Sequence, residues 1–226
     1  MRIDAAFRVD ETTRLLKFSG GARSLTDALY MTAAALAAEM QTQGQAILGG
    51  GFTCTESAGV FTMANAGPNF SITWTHPALR DWLGWTADLS GANSYTAPNT
   101  CAGTFVPTRA WEDQGPSWTW QLRSWTGHHQ TGGSLKTGRE DRWRLNARVQ
   151  YSELAQLRSV MSYLLNGMPA TWFRNSLDTA AFDYDTNWDG TIQVLLDQSD
   201  YSDEWIGDGD ALIDAVVPLT LLEWAA

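Results

Sequence analysis

The sequence predicts an α+β fold that is mainly antiparallel β, with sandwich-like or barrel-like sheets on which two amphipathic helices pack. Two observations lead to this prediction. Short segments in which apolar and polar residues alternate recur between Gly-, Pro- and Asn-containing turns, as half-buried strands do. Only two long segments instead repeat their apolar residues at the spacing of an α-helix. The 226 residues suffice for one large domain or two small ones.

Residues 1–100 are predicted to form an N-terminal module of β-hairpin, helix and β-sheet. Alternating residues 7–9 and 15–18 flank the turn at 10–13, which predicts the hairpin. A capping-box pattern at Ser24 and an apolar stripe predict a helix over about residues 25–42. The stripe residues are Leu25, Leu29, Leu36 and Met40. Three strands and a short helix are expected to follow, at 52–55, 59–63, 70–74 and 78–83.

Residues 101–226 are predicted to form a β-rich C-terminal module with one helix and an acidic segment, or to interleave with the first module in a single domain. Ser152 is expected to cap the helix, and Gly167 and Pro169 to end it. The segment 126–139 has the composition of an exposed loop. The predicted strands are 104–106, 118–122, 143–149, 170–173, 191–196 and 215–222.

Charge is distributed unevenly along the chain. The total of 15 basic and 25 acidic residues gives a net charge of −10, which argues against the broad basic surface of a nucleic-acid-binding protein. No Lys or Arg follows Arg174, so all 12 charged residues of the last 52 are acidic. This acidic segment is either a solvated surface that keeps the protein soluble or a surface that repels an anion.

The basic and aromatic residues favour assembly. Thirteen of the 15 basic residues are Arg, and the chain has 12 Trp. Arg and Trp are enriched in protein interfaces, whereas Lys is depleted there. The composition therefore favours assembly, with the core and a carbohydrate-binding surface as the other uses of Trp. The candidate interface residues are Arg109, Trp111, Trp118, Trp120, Arg123 and Trp125.

No motif in the sequence predicts a cofactor or a metal. Asp185, Asn187 and Asp189 match the first half of a calcium loop, but Leu196 stands where the bidentate acid is required, which favours a turn. The two cysteines, Cys54 and Cys101, are too far apart for a Cys-x-x-Cys site and are expected to be buried free thiols.

Targeting signals are also not predicted. Acids at positions 10 and 11 interrupt any signal peptide, and the apolar stretch 33–38 is too short to span a membrane. We therefore expect synthesis in a cytosol and no membrane partner.

The sequence contains few combinations of residues that could form a catalytic site. The chain has only three His, of which His76 precedes a Pro as a helix-initiating residue and His128 and His129 lie in a predicted loop. A hydrolase remains the less favoured alternative, because paired carboxylates can perform glycosidase chemistry when they flank the scissile bond. The acid pairs in question are Glu112 with Asp113, Glu140 with Asp141, and Asp208 with Asp210.

Several segments resemble virion structural proteins of tailed bacteriophages. In that module a helix precedes a β-hairpin, a third strand and a Leu-Gly-aromatic step, which correspond here to residues 24–29, 52–55, 59–63, 70–74 and 83–85, with a Gly/Ser/Tyr segment at 90–96. The second half resembles tail-tip, distal tail or minor tail proteins in outline, through segments 143–149, 171–173 and 217–223 and the helix from Ser152. These strings of residue types carry no catalytic group.

The resemblance implies a non-enzymatic tail subunit that is assembled in the host cytoplasm into the virion, self-associates into a ring and contacts adjacent tail proteins. It leaves open whether the subunit belongs to the tube, the distal ring, a connector or a completion complex. It also suggests that the acidic segment faces the tail channel, where like charge keeps passing DNA from adhering. The acids in question are Asp197, Asp200, Asp203, Asp208 and Asp210. The alternative is a tail component that binds a carbohydrate or receptor through Trp118, Trp120 and Trp125.

Overall fold

The structure, a computed structural model, describes residues 2–106, 117–125, 136–173, 190–197, 204–208 and 211–223. Within these ranges the chain forms 17 β-strands, three α-helices and one 3-10 turn. Every strand pair identified among them is antiparallel. The fold is α+β and mainly antiparallel, as the sequence predicts, and it includes a sheet that curls into a half-barrel.

The elements are numbered in chain order. The first twelve are β1 (Arg2–Ala5), β2 (Phe7–Val9), β3 (Leu15–Phe18), β4 (Gly21–Ser24), β5 (Ala28–Tyr30), α1 (Ala33–Leu48), β6 (Phe52–Ser57), β7 (Val60–Asn65), β8 (Phe70–Trp74), α2 (Pro77–Trp82), β9 (Leu89–Ala92) and β10 (Ser94–Thr96). The others are β11 (Thr104–Phe105), β12 (Ser117–Trp125), β13 (Lys136–Gln150), the 3-10 turn Tyr151–Glu153, α3 (Leu154–Leu165), β14 (Ala170–Phe173), β15 (Thr191–Leu196), β16 (Glu204–Asp208) and β17 (Ala211–Glu223).

Three small sheets surround the first hydrophobic cluster, whose buried residues come from positions 7–101. Their strand orders are β2–β5, β4–β3–β8–β9 and β10–β7–β6. Helix α1 packs on β6 so closely that a Cβ at Gly44 would lie 2.3 Å from the ring of Phe52. Phe52 in turn makes edge-to-face contacts with Phe18 and Phe70. The absence of a side chain at Gly44 therefore sets the distance between helix and sheet.

One eight-stranded sheet holds the second cluster. Its strands follow the order β11–β1–β14–β15–β17–β13–β12, and β16 also pairs with β17. Helix α3 contacts β1, β11 and β15 through its buried apolar stripe, Leu154, Leu157, Val160, Met161 and Leu164. Ile3 and Ala5 of β1 belong to this second cluster. The N-terminal strand thus completes the sheet formed by the second half of the chain, and a module boundary at residue 100 stays a prediction.

The predicted hairpin over residues 7–18 is wrong in its pairing. The turn at 10–13 is present, with the carboxylate of Asp10 accepting hydrogen bonds from the amides of Thr12 and Thr13. The two strands, however, diverge into different sheets, because β2 pairs with β5 whereas β3 pairs with β4 and β8. Local alternation identified the strands correctly and their partners incorrectly.

The predicted helix over residues 25–42 begins too early. Its N-cap is Thr32, whose hydroxyl accepts from the amide of Ala35 at 3.1 Å, and not Ser24, which lies in β4. Residues 28–30 are extended because they pair with β2. Pairing with β2 thus outweighs the local capping pattern. Of the four predicted stripe residues, only Leu36 and Met40 lie in the helix, where both are buried.

Two predictions in the second half also need correction. Strand β13 begins at Lys136, so residues 136–139 are strand and not loop. Ser152 does not cap α3, since it lies in the preceding 3-10 turn and Glu153 is the residue at the N-cap position. The carboxylate of Glu153 accepts from the amide of Gln150, which ties this turn to the end of β13.

The β6–β7 hairpin is confirmed. Ser57 pairs with Val60, which leaves Ala58 and Gly59 as a two-residue loop with φ of 48° and 82°. Both residues at positive φ are typical of a type I′ turn, whose twist matches that of the strands. The helix-initiating role of His76 is confirmed as well, since its Nδ1 accepts from the amide of Ala78 at 3.2 Å.

Candidate assembly interface and buried charge cluster

Strands β12 and β13 form a two-stranded ribbon, residues 117–125 and 136–150, at one end of the large sheet. β12 pairs with β13 from Ser117 opposite Arg144 to Trp125 opposite Lys136. β17 pairs with β13 only over residues 142–150. Among the described strands, residues 136–141 therefore have β12 as their one partner, and the ribbon continues past the part of β13 that β17 supports.

Four of the predicted interface residues lie on β12. Trp118 and Trp120 share one face of the ribbon, with Trp118 opposite Trp143, whereas Arg123 and Trp125 share the other face. The ribbon carries six basic and two acidic residues. The remaining interface candidates, Arg109 and Trp111, lie outside the described residues.

The strands that follow the ribbon in the sheet, β17 and β16, contain acidic residues. Residues 214–216 of β17 pair with β13 on one side and with β16 on the other, so the local strand order is β12–β13–β17–β16. Strands β16 and β17 contain four acidic residues, Glu204, Asp208, Asp214 and Glu223, and no basic one. Basic residues are thus concentrated on β13 and β12, and acidic residues on the neighbouring strands β17 and β16.

Of the acids predicted to face a channel, two are described. Asp208 is the last residue of β16, and half-buried Asp197 follows β15, where its amide donates to the carbonyl of Thr220 at 2.8 Å. Asp200, Asp203 and Asp210 lie outside the described residues, as do the calcium-loop positions Asp185, Asn187 and Asp189.

A buried charge cluster, which the sequence analysis did not predict, joins the large sheet to the three-stranded sheet β10–β7–β6. Arg2 of β1 donates to both carboxylate oxygens of Asp4, each at 2.6 Å, and to Glu56 of β6 at 3.0 Å. The side chains are 12% exposed for Arg2, 1% for Asp4 and 2% for Glu56. Glu56 also accepts from the amide of Gly59, and the guanidinium lies 5.1 Å from the centroid of the Phe173 ring.

Burial and the contacts between the charged groups shift the pKa values of this cluster in opposite directions. Burial raises the pKa of Asp4 above its ordinary value of 3.8, because desolvation outweighs the bonds from Arg2. Burial disfavours the charge of Arg2 as well, but the bonds and charges of Asp4 and Glu56 outweigh it and raise the pKa of Arg2. Both carboxylates are committed to the guanidinium, so the cluster acts as an ionic brace between β1 and β6.

A cleft of about 610 Å³ opens beside the brace, at the junction of the two cores. The N-terminal half contributes Thr32 at the start of α1 and the β6–β7 turn, and the large sheet contributes Thr171, Phe173 and Thr191. The hydroxyl of Thr171 donates to the carbonyl of Met31 at 3.0 Å, a second link across the junction. The cleft is lined by hydroxyl and apolar groups and by Arg2, whose charge is already paired with Asp4 and Glu56.

The acid pairs of the hydrolase alternative are not brought into this cleft within the described chain. Glu140 and Asp141 are neighbours in β13, opposite Gln121 and Trp120, and so belong to opposite faces of the ribbon. Glu112, Asp113 and Asp210 lie outside the described residues. The two carboxylates that do come together, Asp4 and Glu56, could not be paired from the sequence, because 52 residues of unknown path separate them.

Both cysteines are buried, as predicted. Cys54 and Cys101 belong to the first hydrophobic cluster as free thiols, and burial raises the pKa of each to about 12. Among the described residues, no group of three His, Cys, Asp or Glu side chains is arranged to hold a metal ion. The described helices include none that is long and apolar enough to cross a membrane.

Comparison with known proteins gives no match: no protein-family model, no curated protein and no solved structure is significantly similar to this chain.

Proposed function

We propose that this chain is a structural subunit of a tailed-bacteriophage virion, a tail protein that self-associates into a ring and contacts adjacent tail proteins. The observation on which the proposal depends is the β12–β13 ribbon at the margin of the large sheet. Its nine-residue outer strand contains three Trp, and within the described chain no strand pairs with its outer edge.

Such an edge is unusual in a protein that works as a monomer. A long edge strand offers a row of unpaired amides and carbonyls, and soluble monomers shorten it, bend it or place Lys and Pro on it. β12 has nine residues with neither Lys nor Pro. Trp and Arg are also the residues that contribute most to the energy of interfaces. The edge is therefore suited to pairing with another chain.

The phage assignment comes from the resemblance of the sequence segments, and the assembly role comes from the ribbon. In the proposed ring the acidic segment lines the channel, with Asp197, Asp200, Asp203, Asp208 and Asp210 repelling DNA in passage. A structure of the assembled ring with these residues on its outer wall would contradict this part of the proposal.

The direct test is the protein content of purified phage particles. We expect mass spectrometry to detect the chain in particles of the phage that encodes it, and immunogold labelling to locate it on the tail. An amber mutation in the gene should give particles with defective tails, and suppression should restore them. Fully infectious particles that lack the chain would overturn the proposal.

A second candidate, a carbohydrate-binding or receptor-binding tail component, is favoured by one observation. Trp118, Trp120 and Trp143 share one face of the ribbon, and aromatic rows of this kind can stack on sugar rings. A glycan array separates the two candidates: binding that is lost in Trp118→Ala and Trp120→Ala supports the second, and no binding argues against it.

A further inference from the structure

We propose that two copies of this chain associate through β12, with the two strands antiparallel about a two-fold axis at Gln121, so that the large sheet continues from one copy into the other. The partner is a second copy of the same chain, and the site is the outer edge of β12. This inference rests on the proposed self-association and names the surface that begins it. Its experimental readout is separate from the presence of the chain in a virion.

β12 is the long margin of the large sheet. The strand order places β11 at one end of that sheet and β12 at the other. β11 has two residues, whereas β12 has nine, all of which pair with β13 on the inner side. Among the described strands, none pairs with the outer side of β12. The amides and carbonyls on that side can therefore pair with an added strand of equal length.

The sequence of β12 fits itself in one antiparallel register. With Gln121 opposite Gln121 of the second copy, all nine residues of each strand are paired. Trp120 is then opposite Leu122 of the second copy, and Trp118 is opposite Ser124, so that each of these Trp residues is opposite a smaller residue. A shift by two residues in either direction would leave two residues of each strand unpaired.

The same register matches the faces of the two sheets. Trp118 is opposite Trp143, and Trp143 is opposite Leu221, which is buried in the second cluster. Trp118 and Trp120 therefore lie on the core face of the large sheet. In the proposed register this face of one copy continues the same face of the other. A shift by one residue would join it to the opposite face instead.

Charge does not oppose this pairing. Arg123 is the one charged residue of β12, and the register places it opposite Thr119 of the second copy. Like charges directly opposite each other destabilise a pair of strands, and β12 brings none together in this register. The strand also lacks the Lys and Pro with which the edge strands of monomers prevent such pairing.

The contact is isologous, because each copy contributes the same strand to it. Isologous contacts close on themselves and give two-fold dimers, the commonest oligomers of soluble proteins. The ring of the proposed function would then be assembled from such dimers through a second surface.

Disulfide cross-linking tests the pairing and its register. Gln121→Cys places two Cα atoms about 4.5–5.5 Å apart across the axis, a distance that a disulfide spans. Oxidation should therefore give a covalent dimer that a reducing agent separates. Ser117→Cys is the matched control in the same strand, because its two copies lie roughly 27 Å apart along the strands. It should not cross-link, and neither should the wild type, whose two cysteines are buried.

A charge at the two-fold axis tests the contact without a covalent bond. Sedimentation velocity should show that the wild type dimerises. Gln121→Lys and Gln121→Glu should each weaken dimerisation at least roughly tenfold, since two like charges then face each other. An equimolar mixture of the two variants should dimerise again, because Lys then faces Glu. Gln193→Lys is the matched control, an exposed residue of β15 inside the same sheet, and should dimerise like the wild type. Circular dichroism should show all variants folded.

A wild type that stays monomeric would overturn the inference. It would also be overturned if Gln121→Cys formed no covalent dimer or if Ser117→Cys cross-linked as readily. The same holds if the charge variants dimerised like the wild type, if their mixture stayed monomeric, or if Gln193→Lys dissociated as they do. In each of these cases the detection of the chain in phage tails would still stand. Conversely, a chain that is absent from virions could still form this dimer.

Discussion

The small sheets around α1 and the large sheet differ in the length of the edge strands whose backbone groups they leave unpaired. In the first region every strand has three to six residues, and the strands close around a core that contains Phe52 and Trp82. In the second region β12, β13 and β17 have 9, 15 and 13 residues, and they end in a ribbon with an open edge. Short edge strands offer little backbone for pairing with another chain, and a long edge strand offers much more.

Under the proposed function, the first region stabilises the fold and the ribbon serves association. The ionic brace and the α1–β6 contact hold the first region and fasten it to β1, whereas the ribbon is supported by β17 over only part of its length. Substitutions in the first region should therefore change the free energy of unfolding. Substitutions in the ribbon should change association.

The largest expected effect is that of Arg2→Met. It leaves Asp4 and Glu56 as buried acids without their cation, and the loss of one partner of a buried pair costs about 3–5 kcal/mol. Arg14→Met is the matched control, because Arg14 pairs with Asp27 at 3.1 Å while both side chains are about half exposed, at 40% and 46%. Its cost should be at most about 1 kcal/mol. Equal effects of the two variants in urea denaturation would show that the brace contributes no more than a surface ion pair.

The next effect is that of Gly44→Ala in α1. Alanine favours a helix over glycine by about 1 kcal/mol, but its Cβ would lie 2.3 Å from the Phe52 ring, and overpacking a core costs about 1–3 kcal/mol. We therefore expect a net destabilisation in urea denaturation. Phe52→Leu should turn Gly44→Ala from destabilising to neutral or stabilising. A lack of such coupling would mean that α1 moves away from β6 without cost.

The pH dependence of stability should reveal Asp4. Its pKa is raised in the folded protein, so the folded state binds a proton more tightly than the unfolded state. The free energy of unfolding should fall as pH rises from about 3.8 through the raised pKa, by up to about 1.4 kcal/mol per pH unit. The difference between wild type and Asp4→Asn should show this slope in denaturation experiments at successive pH values.

Asp10 is the control of opposite sign. Hydrogen bonds from Thr12 lower its pKa, so its contribution is present above 3.8 and is lost only as pH falls below that value. Asp10→Asn should therefore change the stability curve at lower pH than Asp4→Asn does. Coincident windows for the two variants would contradict the assigned directions.

Sequence patterns predicted most elements of the fold because alternation and helical spacing are local properties. They failed where a distant partner decides the structure. Residues 28–30 were expected in a helix and form a strand because β2 is available to pair with them. No strand was predicted for residues 2–5, yet β1 lies between β11 and β14 in the large sheet, because these two distant segments pair with it.

The two candidate sites differ in the same way, because one depends on a local pattern and the other on distant contacts. The ribbon was predictable in part, since Trp118, Trp120, Arg123 and Trp125 lie within a segment of recognisable strand pattern. The brace was not, because Arg2 and Glu56 are 54 residues apart and lie in different sheets. Arg2 and Asp4 do have the two-residue spacing that places charges on one face of a strand, which was the one local signal of the brace.

The smallest expected effect on stability is that of Trp120→Ala, and it tests the comparison most directly. If the ribbon serves association, this variant should lower the free energy of unfolding of the monomer by less than about 1 kcal/mol, as most substitutions outside a core do. Trp172→Ala is the matched control within the same sheet, because Trp172 is 1% exposed in the second core cluster, and its loss should cost about 3–5 kcal/mol. Denaturation should be measured at concentrations where both proteins are monomeric, since association stabilises the folded state by mass action. Similar losses for the two variants would assign Trp120 to the core, and the long strands would then differ from the small sheets in length alone.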